Sequence, residues 1–162
     1  MERPLVTREA IRAQSLVVRP FAATDTPAVR AIEEESFPAS RWPDAEYAAV
    51  AGGLYWGRVA ELDGHVAGFL TALAVPGVFE ILNVAVTAAA RRRGLGRRLI
   101  AEAEVEARAL GAACVLLEVR ESNRGAQEFY RVLGFRIAGR RQDYYREPVE
   151  DALLLTLTLT RT

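Results

Sequence analysis

Lysine is absent from this chain: all 21 basic residues are arginine. Coding bias or thermal adaptation accounts for that, and either way the protein has no lysine amine of its own. Cysteine is nearly absent too. A single Cys114 excludes an internal disulfide and argues against a secreted, cross-linked scaffold. Flanked by Val115, Leu116 and Leu117 with no basic neighbour, it reads as a buried, inert thiol. The only histidine, His65, has no companion to form a metal site or a catalytic triad. No apolar run approaches the ~20 residues of a membrane span. The start Met1-Glu2-Arg3-Pro4 lacks the apolar stretch of a signal peptide. Net charge is zero, which excludes a polyelectrolyte binder and makes any basic patch local. The expectation is a soluble cytoplasmic protein with no membrane partner and no direct nucleic-acid partner, a monomer being favoured.

A chain of 162 residues fits one domain with a real core. Residues 1–13 are weakly patterned and read as an arm or short helix, leaving 14–162 as the single domain. Leu16-Val17-Val18 is a strand closed by Pro20. Asp25 or Thr26 can cap a helix that runs through Val29 and Ile32 and stops near Phe37-Pro38. A shorter helix begins at Pro43-Asp44 and ends at Gly52-Gly53. Segments 55–62 and 66–75 have strand character and are joined by Asp63-Gly64, a strong hairpin signal. Residues 79–86 form another strand. From 94 to 110 the period turns helical, with Leu95, Leu99, Ala103 and Leu110 on one face and Gly111 as the stop. A buried-type strand over 114–119, a helix over 124–133 and strands over 135–140 and 152–159 complete an α/β or α+β sandwich.

The most informative stretch leads from the strand Val84-Ala85-Val86 into Arg91-Arg92-Arg93-Gly94-Leu95-Gly96-Arg97 at a helix start. Such a turn aims free backbone N–H groups and the positive helix end at an anion. The arginines add a potential suited to a polyphosphate. It is not a P-loop, since Arg97-Arg98 replaces the Lys-Ser/Thr pair. It is not a dinucleotide fingerprint either, since Leu99 stands at the third glycine. On its own the turn leaves phosphate binding, a solvated basic helix start and a nucleic-acid patch all open.

Arg91-x-x-Gly94-x-Gly96 resembles the Gln/Arg-x-x-Gly-x-Gly/Ala signature of the GNAT superfamily of N-acetyltransferases. Asn123 followed by Phe129-Tyr130-Arg131-Val132-Leu133-Gly134-Phe135 resembles its second signature. One helix and one strand separate the two blocks, and the resemblance runs from about Leu16 to Leu159. Within the superfamily the chain is similar to the RimI type, on Leu82-Asn83-Val84-Ala85-Val86, Leu117-Glu118-Val119-Arg120-x-x-Asn123, and Tyr144-Tyr145 before Glu150-Asp151-Ala152. The resemblance implies the GNAT fold, a mixed central sheet of about six to seven strands flanked by about four helices. It also implies acetyl-CoA as co-substrate, with no metal, and an acceptor protein N-terminus, a ribosomal protein first. The backbone at Val84, Ala85 and Val86 would hold the pantetheine arm and the acetyl carbonyl. Residues Arg91, Arg92, Arg93, Gly94, Leu95, Gly96 and Arg97 would hold the pyrophosphate, and Asn123 the pantetheine region. Phe37, Pro38, Asn83, Tyr144 and Tyr145 would flank the acceptor. In one departure, Ser36-Phe37-Pro38-Ala39-Ser40-Arg41-Trp42 carries its tryptophan later than the family's Phe-Pro-Trp.

Acetyl transfer needs a neutral amine and a proton for the departing thiolate. Glu118 lies in an apolar strand, so its carboxylate sits at an open end or in a cleft; an arginine ion pair is the alternative. The resemblance makes Glu118 the general base and Tyr130 the general acid. Phe129 reads as core, with Tyr130 turned about 100° away around the helix. The run Glu33-Glu34-Glu35 reads as a solvated helix end, or else as a preference for arginine after the first acceptor residue. A small-molecule amine acceptor, or a non-catalytic acyl-CoA-binding module, remains the alternative function.

Overall fold

The computed structural model describes residues 15–38 and 41–159; the expected arm at 1–13 lies outside them. In chain order the elements are β1 (Leu16–Pro20), α1 (Thr26–Ser36), α2 (Asp44–Ala51), β2 (Trp56–Leu62), β3 (His65–Val75) and β4 (Val78–Val86). Then follow α3 (Leu95–Ala109), β5 (Cys114–Arg120), α4 (Arg124–Val132), β6 (Arg136–Arg146) and β7 (Val149–Thr158). The strands form one seven-stranded sheet in the order β1-β2-β3-β4-β5-β7-β6. The β4–β5 pair is parallel and its neighbours are antiparallel. The expected fold class and element order are therefore present, with β6 running six residues beyond the expected Arg140.

Asp25 stands at the start of α1, but its side chain does not cap the helix. It accepts from both terminal nitrogens of Arg19 and from the Ala22 amide, each at 2.8 Å. Helices α1 and α2 cover one face of the sheet, where Val29, Ile32, Tyr47 and Val50 pack on Val59, Phe69 and Ala85. Helix α3 covers the other, where Leu95, Leu99, Ala103 and Ala107 pack on Leu70, Phe79 and Leu117. The alternation of Phe69 and Leu70 between these cores is the period of a strand buried on both faces. Leu110, expected on the buried helix face, is instead 56% exposed. The i+4 spacing continues from Ala103 to Ala107, and Leu110 is already the C-cap. Cys114 is half-buried rather than buried, because β5 turns Val115, Leu117 and Val119 into the core and its other face outward.

One irregularity shapes the centre of the sheet. Thr71 pairs with Asn83 but Ala72 pairs with Ile81, so Leu82 is an extra residue, a β-bulge in β4. A one-residue slip exchanges the two faces of a strand. Before the bulge, Phe79 and Ile81 enter the α3 core; after it, Ala85 enters the α1/α2 core while Val84 and Val86 pack toward α3. Pairing between β4 and β5 stops at the same place. It covers only Val78↔Cys114, Phe79↔Val115 and Glu80↔Leu116. Beyond it the two parallel strands run on unpaired with each other, and a wedge opens between 82–86 and 117–120.

Candidate active site

Glu118 lies two residues past the last β4–β5 pair, on the face of β5 that does not enter the α3 core. Its side chain is 14% exposed, and Arg141 Nε lies 2.9 Å from its Oε1. The arginine ion pair given as the alternative is present, and the carboxylate is largely shielded from solvent. Arg141 arrives from β6, across β7. Arg141 pairs with Ala152 and Tyr145 with Glu150, so β6 carries two extra residues there. Asp143 takes a left-handed φ of 51° in this bend, and its amide donates to Asp151 Oδ1 at 2.9 Å. The same bend brings Tyr144 onto the carboxylate. The Tyr144 phenol is pushed up to about 12, first by its hydrogen bond to Glu118 and then by burial. The Tyr145 phenol is raised by burial and then by the Glu118 charge. The two rings meet edge to face at 5.1 Å, and the Arg120 guanidinium lies 4.1 Å over Tyr145. The structure brings Glu118, Tyr144 and Tyr145, all singled out from the sequence, into one cluster with Arg141, which the sequence did not single out because its contact depends on the bend.

On the other flank of the wedge, the α1–α2 connection reaches Asn83. With the Asn83 amide assigned so that its oxygen faces Trp42, the indole Nε1 donates to it at 3.1 Å. The later tryptophan thus still meets the strand. Phe37 packs partly against the α1/α2 core, and Pro38 follows in the turn. The expected solvated helix end holds for exposed Glu34 and Glu35 but not for Glu33, and each member is engaged within the protein. Glu33 is buried and accepts from the Trp42 amide and the Tyr47 hydroxyl at 3.0 and 2.5 Å. Glu34 pairs with Arg41 at 2.6 Å. Glu35 accepts from the Thr87 hydroxyl and the Ala88 amide at 3.1 and 2.6 Å.

Val84, Ala85 and Val86 pair with Leu70, Phe69 and Gly68 of β3, and their other edge faces the wedge. After them, residues 91–94 turn through left-handed Arg92 and Gly94, at φ 63° and 82°. Helix α3 starts with no acidic residue in its first turn and no side-chain cap. Its first intrahelical bond runs from Arg98 N to Gly94 O, so the amides of Leu95, Gly96 and Arg97 precede the helical ladder. Three uncommitted donors, a positive helix end and Arg91, Arg92, Arg93, Arg97 and Arg98 fit a polyphosphate. Gly96 has a separate reason to be glycine: a Cβ there would lie 3.3 Å from Phe129 Cζ. Asn123 caps α4, accepting from the Ala126 amide at 3.1 Å.

The expected roles of Phe129 and Tyr130 in packing are reversed. Phe129 is 37% exposed and Tyr130 is 7% exposed. Tyr130 meets Phe129 and Phe135 edge-on at 5.1 and 5.5 Å. Burial raises its phenol above the ordinary tyrosine value. Tyr130 belongs to the core on the α3 side, whereas Glu118 lies on the opposite face of β5 from that core. The two candidate proton-transfer groups therefore lie on opposite faces of the sheet.

The model of the acetyltransferase (GNAT) family matches residues 26–135. The [ribosomal protein bS18]-alanine N-acetyltransferase of Escherichia coli (strain K12) is 33% identical over 141 residues, covering 85% of this chain and 93% of that protein. The putative [ribosomal protein bS18]-alanine N-acetyltransferase of Bacillus subtilis (strain 168) is 33% identical over 143 residues, covering 88% and 95%. The crystal structure of the ribosomal-protein-S18-alanine N-acetyltransferase from Escherichia coli matches with a TM-score of 0.81 at 31% identity, over 91% of this chain and 96% of that one. That of Ard1 from Thermoplasma volcanium matches with a TM-score of 0.81 at 25% identity, over 90% and 99%. A wedge between two parallel strands, an anion-ready helix start beside it and a family match over both make the chain a member of the GNAT acetyltransferase family, an enzyme whose acyl donor is acetyl-CoA.

Proposed function

We propose that this enzyme acetylates the α-amine of a protein N-terminus in the cytoplasm, with the N-terminal alanine of a small-subunit ribosomal protein as leading substrate. The observation that carries the mechanism is the two-sided wedge, with Glu118 on one face of β5 and Tyr130 in the core on the other. The acceptor assignment is supported by the alanine N-acetyltransferase relatives at 33% identity. Phe37, Pro38, Asn83, Tyr144 and Tyr145 flank the acceptor. The edge of β4 at Val84, Ala85 and Val86 orients the pantetheine arm and the acetyl carbonyl, and Asn123 contacts the arm further along. Residues 91–97 hold the pyrophosphate.

As the amine nitrogen bonds to the acetyl carbon, it gives up a proton to a Glu118 oxygen, directly or through water. As the carbon–sulfur bond breaks, the Tyr130 hydroxyl donates its proton to the thiolate. No covalent bond to the protein is needed, so half-buried Cys114 takes no part. An α-amine has a pKa of about 8 and a lysine about 10.4. At neutral pH roughly a tenth of α-amines are uncharged, against under one in a thousand lysines, so a single carboxylate suits the first.

The test is a basic peptide that begins with alanine and carries one internal lysine, incubated with acetyl-CoA and read by mass spectrometry. Acetylation is expected at the α-amine alone, and Glu118→Gln is expected to slow it about 100-fold or more. Equal rates in the two proteins would remove Glu118 as the base. No peptide product despite tight acetyl-CoA binding would point to a small-molecule amine or a binding module instead.

A further inference from the structure

The contact between Arg141 and Glu118 has no use in the proton transfers above, since a guanidinium resting on a base does not help it take up a proton. Glu118 does not depend on Arg141 for a polar neighbour either, because interaction with its carboxylate is the first cause that raises the Tyr144 phenol. Packing is only a partial reason: the guanidinium lies 5.9 Å over the Tyr144 ring, but the Arg141 side chain is 52% exposed, against 14% for Glu118. The carboxylate is thus held in place and largely out of water, while the guanidinium lies half in solvent at the mouth of the site.

The surrounding groups leave Arg141 as the counter-charge. From β6, Tyr144 and Tyr145 present raised, protonated phenols. From β5, Arg120 lies over the Tyr145 ring and 3.8 Å from Glu150 of β7. The cross-strand partner of Glu118 on β7 is apolar Leu154. Asn83 on β4 is neutral. A bare carboxylate in a half-buried cleft attracts any ammonium group, including lysine side chains that are almost wholly protonated at neutral pH.

We propose that Arg141 is a specificity-determining residue whose charge cancels that of Glu118, so that protonated amines are not drawn into the site and an uncharged α-amine is admitted. This rests on the reading that the acceptor amine is delivered to Glu118. Because Arg141 is half in water, it can swing aside as the amine arrives, leaving Glu118 to receive the proton.

Binding reads this without turnover. A fluorescein-labelled peptide with a free N-terminal alanine serves as probe, in the presence of CoA. Two N-acetylated competitor peptides differ only at their first residue, lysine in one and uncharged norleucine in the other. In Arg141→Gln the ratio of their Kd values is expected to move toward the lysine peptide by about fivefold, the effect of one partly screened charge. Arg141→Lys keeps the charge and is expected to keep the wild-type ratio. A purely structural role would weaken both competitors alike, so an unchanged ratio in Arg141→Gln overturns the proposal. Should that variant fold poorly, Arg141→Met keeps the aliphatic stem and gives the same comparison. Failure of both competitors to displace the probe from the wild-type protein sinks the acceptor reading and this proposal with it. Displacement with an unchanged ratio sinks the proposal alone.

Discussion

Burial raises the Tyr130 phenol above its ordinary value, so its protonated form persists to higher pH than in a free tyrosine. A proton donor at this position stays loaded throughout the neutral and mildly alkaline range. Tyr130→Phe removes the hydroxyl and leaves the ring contacts to Phe129 and Phe135 in place. The expected result is a kcat lower by about 100-fold, with thermal unfolding changed by no more than about 1 kcal/mol. A wild-type kcat would mean that solvent protonates the thiolate. Single residues were also where the sequence misled. The run Glu33-Glu34-Glu35 reads as one solvated helix end, but successive residues on a helix point about 100° apart, and Glu33 turns into the core. They serve three places: a buried site under Trp42, a surface pair with Arg41, and the Thr87–Ala88 turn. Phe129 and Tyr130 were exchanged for a different reason: the 100° step separates two adjacent aromatics, but composition does not say which of them faces the core.

At the scale of elements, every strand and helix expected from periodicity is present, because apolar alternation and turn residues are local signals. The two β-sheet irregularities that build the site were not legible. The bulge at Leu82 lies in 78–86, a stretch so apolar that a change of face breaks no visible alternation. The bend in β6 needs the ladder to β7 before it can be seen. What the sequence did show was the turn into α3, and there an element-scale prediction applies. Gly94 has φ 82°, and a Cβ added there would meet nothing within 4 Å. Gly94→Ala therefore costs backbone strain and no clash, about 1 kcal/mol, or a fall in Tm of roughly 2–4 °C. Relieving that strain rotates the amides that open α3, so KM for acetyl-CoA is expected to rise several-fold. Gly77, in the β3–β4 turn, has φ 79° and similarly open surroundings. Gly77→Ala is expected to lower Tm alike and leave KM unchanged. Equal KM values in the two variants would show that the α3 turn does not hold the pyrophosphate.

For the whole molecule, the missing lysines set how stability follows pH. Every side-chain cation of the chain other than His65 is arginine, which holds its proton beyond about pH 12. Ion pairs such as Arg19–Asp25 and Arg141–Glu118 therefore persist where lysine pairs would fail near pH 10.4. Tyrosines dominate the alkaline side. Tyr47 is raised by burial and by its bond to Glu33, Tyr130 by burial, and Tyr144 by its bond to Glu118 and by burial. In the unfolded chain these phenols ionise near pH 10. Above that pH the folded state binds more protons than the unfolded state, so stability falls as pH rises. On the acid side, Asp25 is lowered by its hydrogen bond to Arg19. Its contribution is complete above the unfolded value of about 4 and is lost as pH falls through the folded one. Urea unfolding is therefore expected to show one midpoint from about pH 5 to 9.5 and a lower one at pH 11, with a smaller drop in Tyr130→Phe. An unchanged midpoint at pH 11 would mean that the three phenols ionise in the folded protein as readily as in the unfolded chain.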